Sequence, residues 1–184
     1  TRVGISGNTT VNGTLTVGSG KTLDINPGQT LTLTGSSSLT FNGTIEGLGL
    51  LELKDGACAN LGTSGTLRVK VRFNADSANI TIPARGYGMG MEIYNNTGTN
   101  RTATLGTGAS QVIVSSGSIE VCANGAGNMT VDADTNGPDV KIVSGMVDYT
   151  GAGAGTESIN LGDGSWNVGG GIDFTGGTIS KGSS

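Results

Sequence analysis

The chain has 184 residues, of which 35 are glycine, with 4% aromatic side chains, 13% charged side chains and a formal net charge of −4. A glycine share nearly three times the usual ~7%, with so few large side chains, argues against a broad core between packed layers and for a thin one. The acidic balance argues against nucleic acid and anionic membrane as partners, and no apolar run approaches the about 20 residues of a membrane span.

The chain enters a strand pattern by Thr9–Val11, and from residue 13 it reads GTLTVGSG KTLDINPG QTLTLTGS SSLTFNGT, four octads in succession. Each has polar-Leu-polar-apolar alternation and then a turn, the signature of a short half-buried strand. Leu15/Val17, Leu23/Ile25, Leu31/Leu33 and Leu39/Phe41 face inward; Thr14/Thr16, Thr22/Asp24, Thr30/Thr32 and Ser38/Thr40 face outward. Threonine suits an exposed pleated surface, and Asn26-Pro27-Gly28 or Asn42-Gly43 bends the chain in few residues. Near-identical inward residues at a constant period favour a coiled stack in which equivalent residues lie level upon level. The expected fold is therefore all-β, a single-domain parallel β-solenoid over 1–184 with about three short strands per coil and a few protruding loops. About 24 residues per coil would place Leu15 directly below Leu39. An antiparallel β-sandwich is the alternative, since its turn spacing overlaps this one.

Beyond residue 44 the period loosens but the strand-and-turn grammar continues. It predicts strands at 50–54, 67–73, 80–82, 89–94, 102–105, 111–114, 118–122, 129–132, 140–143, 146–149, 158–161, 165–168, 172–175 and 178–180. Segments 55–66, 74–79, 83–88 and 95–101 are expected to bulge as loops, and no segment has helical spacing uninterrupted by Gly, Pro or β-branched runs. Alternation places Arg68, Lys70 and Arg72 on one face of a strand, as a solvated face or a basic patch.

The octads resemble right-handed parallel β-helix segments of secreted bacterial and archaeal surface proteins, adhesins and autotransporter-like passenger domains among them. The later run LGDGSWNVGGGIDFTGGTIS is similar to Gly-Trp-rich repeats of the same broad group. The likeness covers about the first 50 and last 30 residues. It implies an architecture and an extracellular or cell-surface setting, and carries no catalytic residue with it.

There is no His, so Ser-His-Asp and Cys-His nucleophiles and His-ligated metals are excluded, and no phosphate-binding loop occurs. Carboxylate chemistry would have to come from pairs such as Asp24 with Glu46 or Asp163 with Asp173. Trp166, Tyr87, Tyr94 and Tyr149 are the residues able to stack on sugars. No enzyme and no cofactor is expected. Asp132, Asp134 and Asn136, followed by Gly137, match the start of an oxygen-ligand calcium loop, with Asp139 a further donor, though Val143 stands where a bidentate Glu belongs. An ordinary Asx turn is the competing reading.

Asn-x-Thr sequons occur at Asn8, Asn12, Asn42, Asn79, Asn95, Asn100 and Asn128, acceptors for glycans on a secreted chain. Outside a cell, Cys58 and Cys122 would close a disulfide if long coils brought them adjacent. The absence of an initiator Met or signal peptide suggests a processed chain or an excised fragment. Neither end carries a capping helix or a charged terminal coil, which invites strand addition. The expected function is an extracellular structural or adhesive solenoid, a filament or surface-layer subunit. Its partners would be copies of itself, the rest of a longer surface protein, and glycans. The alternatives are a carbohydrate-binding or -cleaving β-helix and an ice-binding module resting on the threonine ladder.

Overall fold

The computed structural model describes residues 1–106, 111–173 and 175–182. The chain winds through three faces again and again. The first coil carries β1 (Arg2–Ile5), β2 (Thr9–Val11) and β3 (Thr14–Val17), and the second β4 (Thr22–Ile25), β5 (Thr30–Leu33) and β6 (Ser38–Phe41). In the third, β7 (Thr44–Lys54) spans two faces and a helical turn, α1 (Gly56–Ala59), takes the place of a strand on the third. In the fourth, β8 (Thr66–Asn74) again spans two faces and β9 (Ile80–Ile82) fills the third. The fifth holds β10 (Gly86–Tyr87), β11 (Met91–Asn95) and β12 (Arg101–Leu105), and the sixth β13 (Gln111–Val114), β14 (Ile119–Ala123) and β15 (Met129–Asp132). The seventh holds β16 (Asp139–Ile142), β17 (Met146–Tyr149) and β18 (Glu157–Asn160), and the eighth β19 (Trp166–Val168), β20 (Gly171–Ile172) and β21 (Gly177–Ser180).

Every pairing among the described strands is parallel, so the fold is a parallel β-solenoid and the antiparallel sandwich is excluded. The octads are β3 to β6. Leu15 lies in register with Leu39, and Val17 with Phe41. The stacking continues far past the octads. On the second face Leu31, Leu51, Val71, Met91, Ile119 and Val147 form one buried column; Leu33, Leu53, Phe73, Ile93, Val121 and Tyr149 form another. Each such side chain contributes about 1.5–3 kcal/mol by leaving water, and the columns form one continuous thin core.

Coil length is not constant, as three octads per coil would make it. Arg2 pairs with Thr22, whereas Met91 pairs with Ile119 and Ile119 with Val147, so the central coils use more chain than the first. The difference lies in the corners. At the short corner inside β7 the chain passes from one face to the next through a register shift between Glu46 and Leu50. Gly47 there has φ 120°, and a Cβ on it would run into the carbonyl oxygen of Ile25. At the long corner, segment 95–101 does not bulge as expected. It stacks on 123–128 and then on 151–155, with Gly127 N–H donating to Thr97 O (2.9 Å) and Gly155 N–H to Gly125 O (3.1 Å). Glycines let these backbones approach at strand-like spacing.

Three further expectations are corrected. Segment 83–88 contains β10 and stays in the stack, with Gly88 N–H donating to Leu67 O. Segment 74–79 is tied to the coil before it by Asp55, whose carboxylate accepts from Ser77 N–H (2.8 Å), Ser77 Oγ (2.7 Å) and Ala78 N–H (3.1 Å). Segment 55–66 does leave the strand path, but through α1, a helical element the sequence pattern gives no sign of. Its Ala57 and Cys58 are small enough to plug the core where no strand runs.

Candidate functional site

Alternation along β8 buries Leu67, Val69, Val71 and Phe73 and sends Arg68, Lys70 and Arg72 outward. Parallel register then gathers distant carboxylates around two of these cations. Glu52, Arg72, Glu92 and Glu120 occupy one column of four successive coils. Arg72 Nε lies 2.6 Å from Glu92 Oε2, and Lys70 Nζ lies 2.7 Å from Glu92 Oε1 and 2.9 Å from Glu120 Oε2. Arg72 also covers the ring of Tyr94 at 4.6 Å. Burial alone would raise the Glu92 carboxyl, but hydrogen bonds and charge from Lys70 and Arg72 outweigh it and hold it below the ordinary carboxylate value. Lys70 and Arg72 are therefore neither a merely solvated face nor a free basic patch. They are the cations of a half-buried ion-pair ladder.

Arg68 differs. It has no ion-pair partner among the described residues, and it lines an open cleft of about 410 Å³ together with Arg85, Thr63, Thr66 and Ser115. A second groove of about 420 Å³ runs beside Lys70 and Glu92, flanked by the exposed Leu48 and Met89.

The residues singled out from the sequence are for the most part occupied with the fold. Asp132 Oδ1 accepts from the N–H groups of Asp134 and Thr135, and its Oδ2 accepts from Thr135 Oγ1, the geometry of an Asx turn. Asn136 Nδ2 donates to the carbonyls of Leu105 and Gly106, one coil earlier. Asp139 stands on β16, where Oδ1 accepts from Ser165 N–H and Oγ. Among the described residues no three acidic or sulfur ligands converge. Asp24 and Glu46 are stacked neighbours, bridged by Arg2 at 2.7 and 3.3 Å, while Asp163 and Asp173 flank β19 and β20 without pairing. Tyr87 and Tyr149 are buried, and Trp166 packs on the core with Nε1 donating to Leu161 O, so these aromatics form no exposed ladder.

The disulfide is not formed. Cys58 sits on α1 in the third coil and donates to Leu53 O; Cys122 sits on β14 in the sixth, 2.7 Å from Thr150 Oγ1. Three coils at ~4.8 Å each keep the pair well beyond bridging reach. Of the sequons, Asn12 and Asn42 are exposed at corners. Asn8, Asn79, Asn100 and Asn128 are used as coil-to-coil clamps, their Oδ1 atoms accepting from Thr30, Thr102, Asn128 and Thr156 N–H. Asn95 is fully buried, with Nδ2 donating to the carbonyls of Thr99, Gly127 and Asn128, which leaves no room for a glycan in the folded chain.

Read from the sequence, the threonine ladder ends after Thr14/Thr16 and Ser38/Thr40. In the fold it lapses at α1 and then resumes on the same face: Thr102, Thr130, Ser158 and Thr178 form one outward column, and Thr104, Asp132, Asn160 and Ser180 the next. At both ends the buried columns are cut open. Val3 continues the column of Leu23 yet is 56% exposed, and Ile172 continues that of Val147 yet is 37% exposed.

These features define a β-solenoid with a charged ladder on one face and a hydroxyl-rich face beside it. No family model, curated protein or solved structure matches the chain. Among the described residues no helix is long and apolar enough to cross a membrane.

Proposed function

We propose that this chain is an extracellular structural solenoid that stacks end to end, as the unit of a filament or surface layer or within a longer surface rod. The pair of opened core columns carries this reading. Val3 and Ile172 are interior positions left in water, and one further coil at each end would bury them and pair the free edges of the terminal strands. Joining one end to the other of a second copy is a heterologous contact, and repeated it generates an open filament. Seven steps of ~4.8 Å from the first level to the eighth make this stack about 34 Å long. The extracellular setting rests on the adhesin-like style of the octads and on the exposed sequons Asn12 and Asn42.

Electron microscopy across a concentration series tests the stacking. Rods that lengthen with concentration are expected, and Val3→Lys with Ile172→Lys should keep the particles single. Short monodisperse particles at every concentration would sink the self-stacking version.

One observation favours a second reading, an ice-binding face. One outward Thr/Ser column, Thr102, Thr130, Ser158 and Thr178, runs over β12, β15, β18 and β21 in a regular parallel array, beside a mixed polar column of Thr104, Asp132, Asn160 and Ser180. Thermal hysteresis that Thr102→Lys and Thr130→Lys abolish is its signature; solutions without hysteresis remove it.

A further inference from the structure

The cleft beside β8 and β10 holds two arginines with no carboxylate to neutralise them, in a chain whose net charge is −4. Arg85 is 7% exposed. Its Nη1 donates to Leu61 O (3.3 Å) and Gly62 O (3.1 Å), its Nη2 to Gly65 O (3.0 Å), and its guanidinium lies 4.9 Å from the centre of the Phe41 ring. These bonds, with Nε also donating to Gly86 O at 3.5 Å, fix the group but bring no carboxylate to its charge among the described residues. A buried cation held without a counter-ion is costly. Arg68, on the rim, is the neighbour of Glu46 in its column, but Glu46 is turned toward Arg2 at 3.3 Å. The cleft is open because Gly86 and Gly88 bring no side chains to it, and Thr63, Thr66 and Ser115 bring hydroxyls.

We propose that this cleft binds an oxyanion, the carboxylate or sulfate of an acidic saccharide, between Arg68 and Arg85. Guanidinium groups match such oxygens in a forked, charge-assisted geometry, and the surrounding hydroxyls suit a polyhydroxylated carrier. The site is lateral, away from the end edges, so its success or failure does not depend on end-to-end stacking.

Calorimetric titration of the purified chain at low ionic strength tests it, with oligogalacturonate, a sulfated oligosaccharide, inorganic sulfate and an uncharged oligosaccharide as probes. The expected result is salt-sensitive binding of the anionic probes and none of the uncharged one. Tighter binding of the acidic oligosaccharides than of inorganic sulfate assigns the saccharide as carrier; equal binding would overturn that half of the proposal. Arg68→Gln, at an exposed position, should weaken binding about tenfold or more. Gly86→Asp places a competing carboxylate where a Cβ meets nothing within 4 Å, so the fold is kept while binding is lost. Absence of anion binding by the unaltered chain, or binding unchanged in both variants, would overturn the site.

Discussion

Lys70 reaches Glu120 across two coils: Nζ lies 2.9 Å from Oε2 although 50 residues of chain separate them. Between them stands Glu92, which Lys70 and Arg72 both hold. Three carboxylates stacked in one column would repel one another. The two cations of β8 make that column tolerable, and they do so only because the coils are in register.

The ladder makes part of the stability pH-dependent. Burial pushes the Glu92 carboxyl up, but Lys70 and Arg72 overcome this and lower it. The contribution of ionised Glu92 is thus fully present above about pH 4.3, the ordinary value, and is lost as pH falls through the lowered folded value. Glu92→Gln should cost about 1–2 kcal/mol at neutral pH, seen as a fall in Tm of about 2–8 °C. The deficit should shrink as pH falls through the lowered folded value of Glu92, below which both chains carry an uncharged group. A deficit that stays constant throughout an acid titration would contradict the assignment.

Both thiols should be inert in the folded chain. Burial is the main cause that raises the Cys58 thiol beyond the ordinary range and pushes Cys122 up to about 11. A thiol-reactive chromophore should label neither at neutral pH and both in strong denaturant, and a reductant should leave Tm unchanged. A reductant-dependent loss of stability would restore the disulfide.

Leu51→Ala should destabilise the rod by about 2–5 kcal/mol, because it opens a cavity in a column filled above by Val71 and below by Leu31. Leu48→Ala, at an exposed position between the two halves of β7, should stay within about 0.5 kcal/mol. Chemical denaturation of the two variants makes the comparison.

Asn95→Asp should be strongly destabilising, since the buried Nδ2 serves three carbonyls that a carboxylate would face with like polarity. In a glycosylating host, peptide mapping should find glycan at Asn12 or Asn42 and none at Asn95 of the folded chain. Occupied Asn95 in folded material would contradict its placement.

The octads were legible because each strand states its own inward pair. Leu15-x-Val17 and Leu39-x-Phe41 need no distant partner to identify the buried side, and period-2 alternation with Asn-Gly corners sets the stacking. The longer repeat of the central coils was not. Met91, Ile119 and Val147 share only an apolar character, and the corners between them differ in residue type while sharing a backbone path. The candidate sites were less legible still. Cys58 with Cys122, and the calcium-like run with Asp139, were paired by residue type alone, and the register sends each to different partners.

Local chemistry therefore determined the strands, the inward faces and the thin parallel stack, because alternation and turn residues act over a few positions. Only the tertiary structure decided which charges meet and which stay alone. Corners of unequal length set the register from coil to coil, and register brings Lys70 to Glu92 and Glu120 while leaving Arg68 and Arg85 together without a carboxylate.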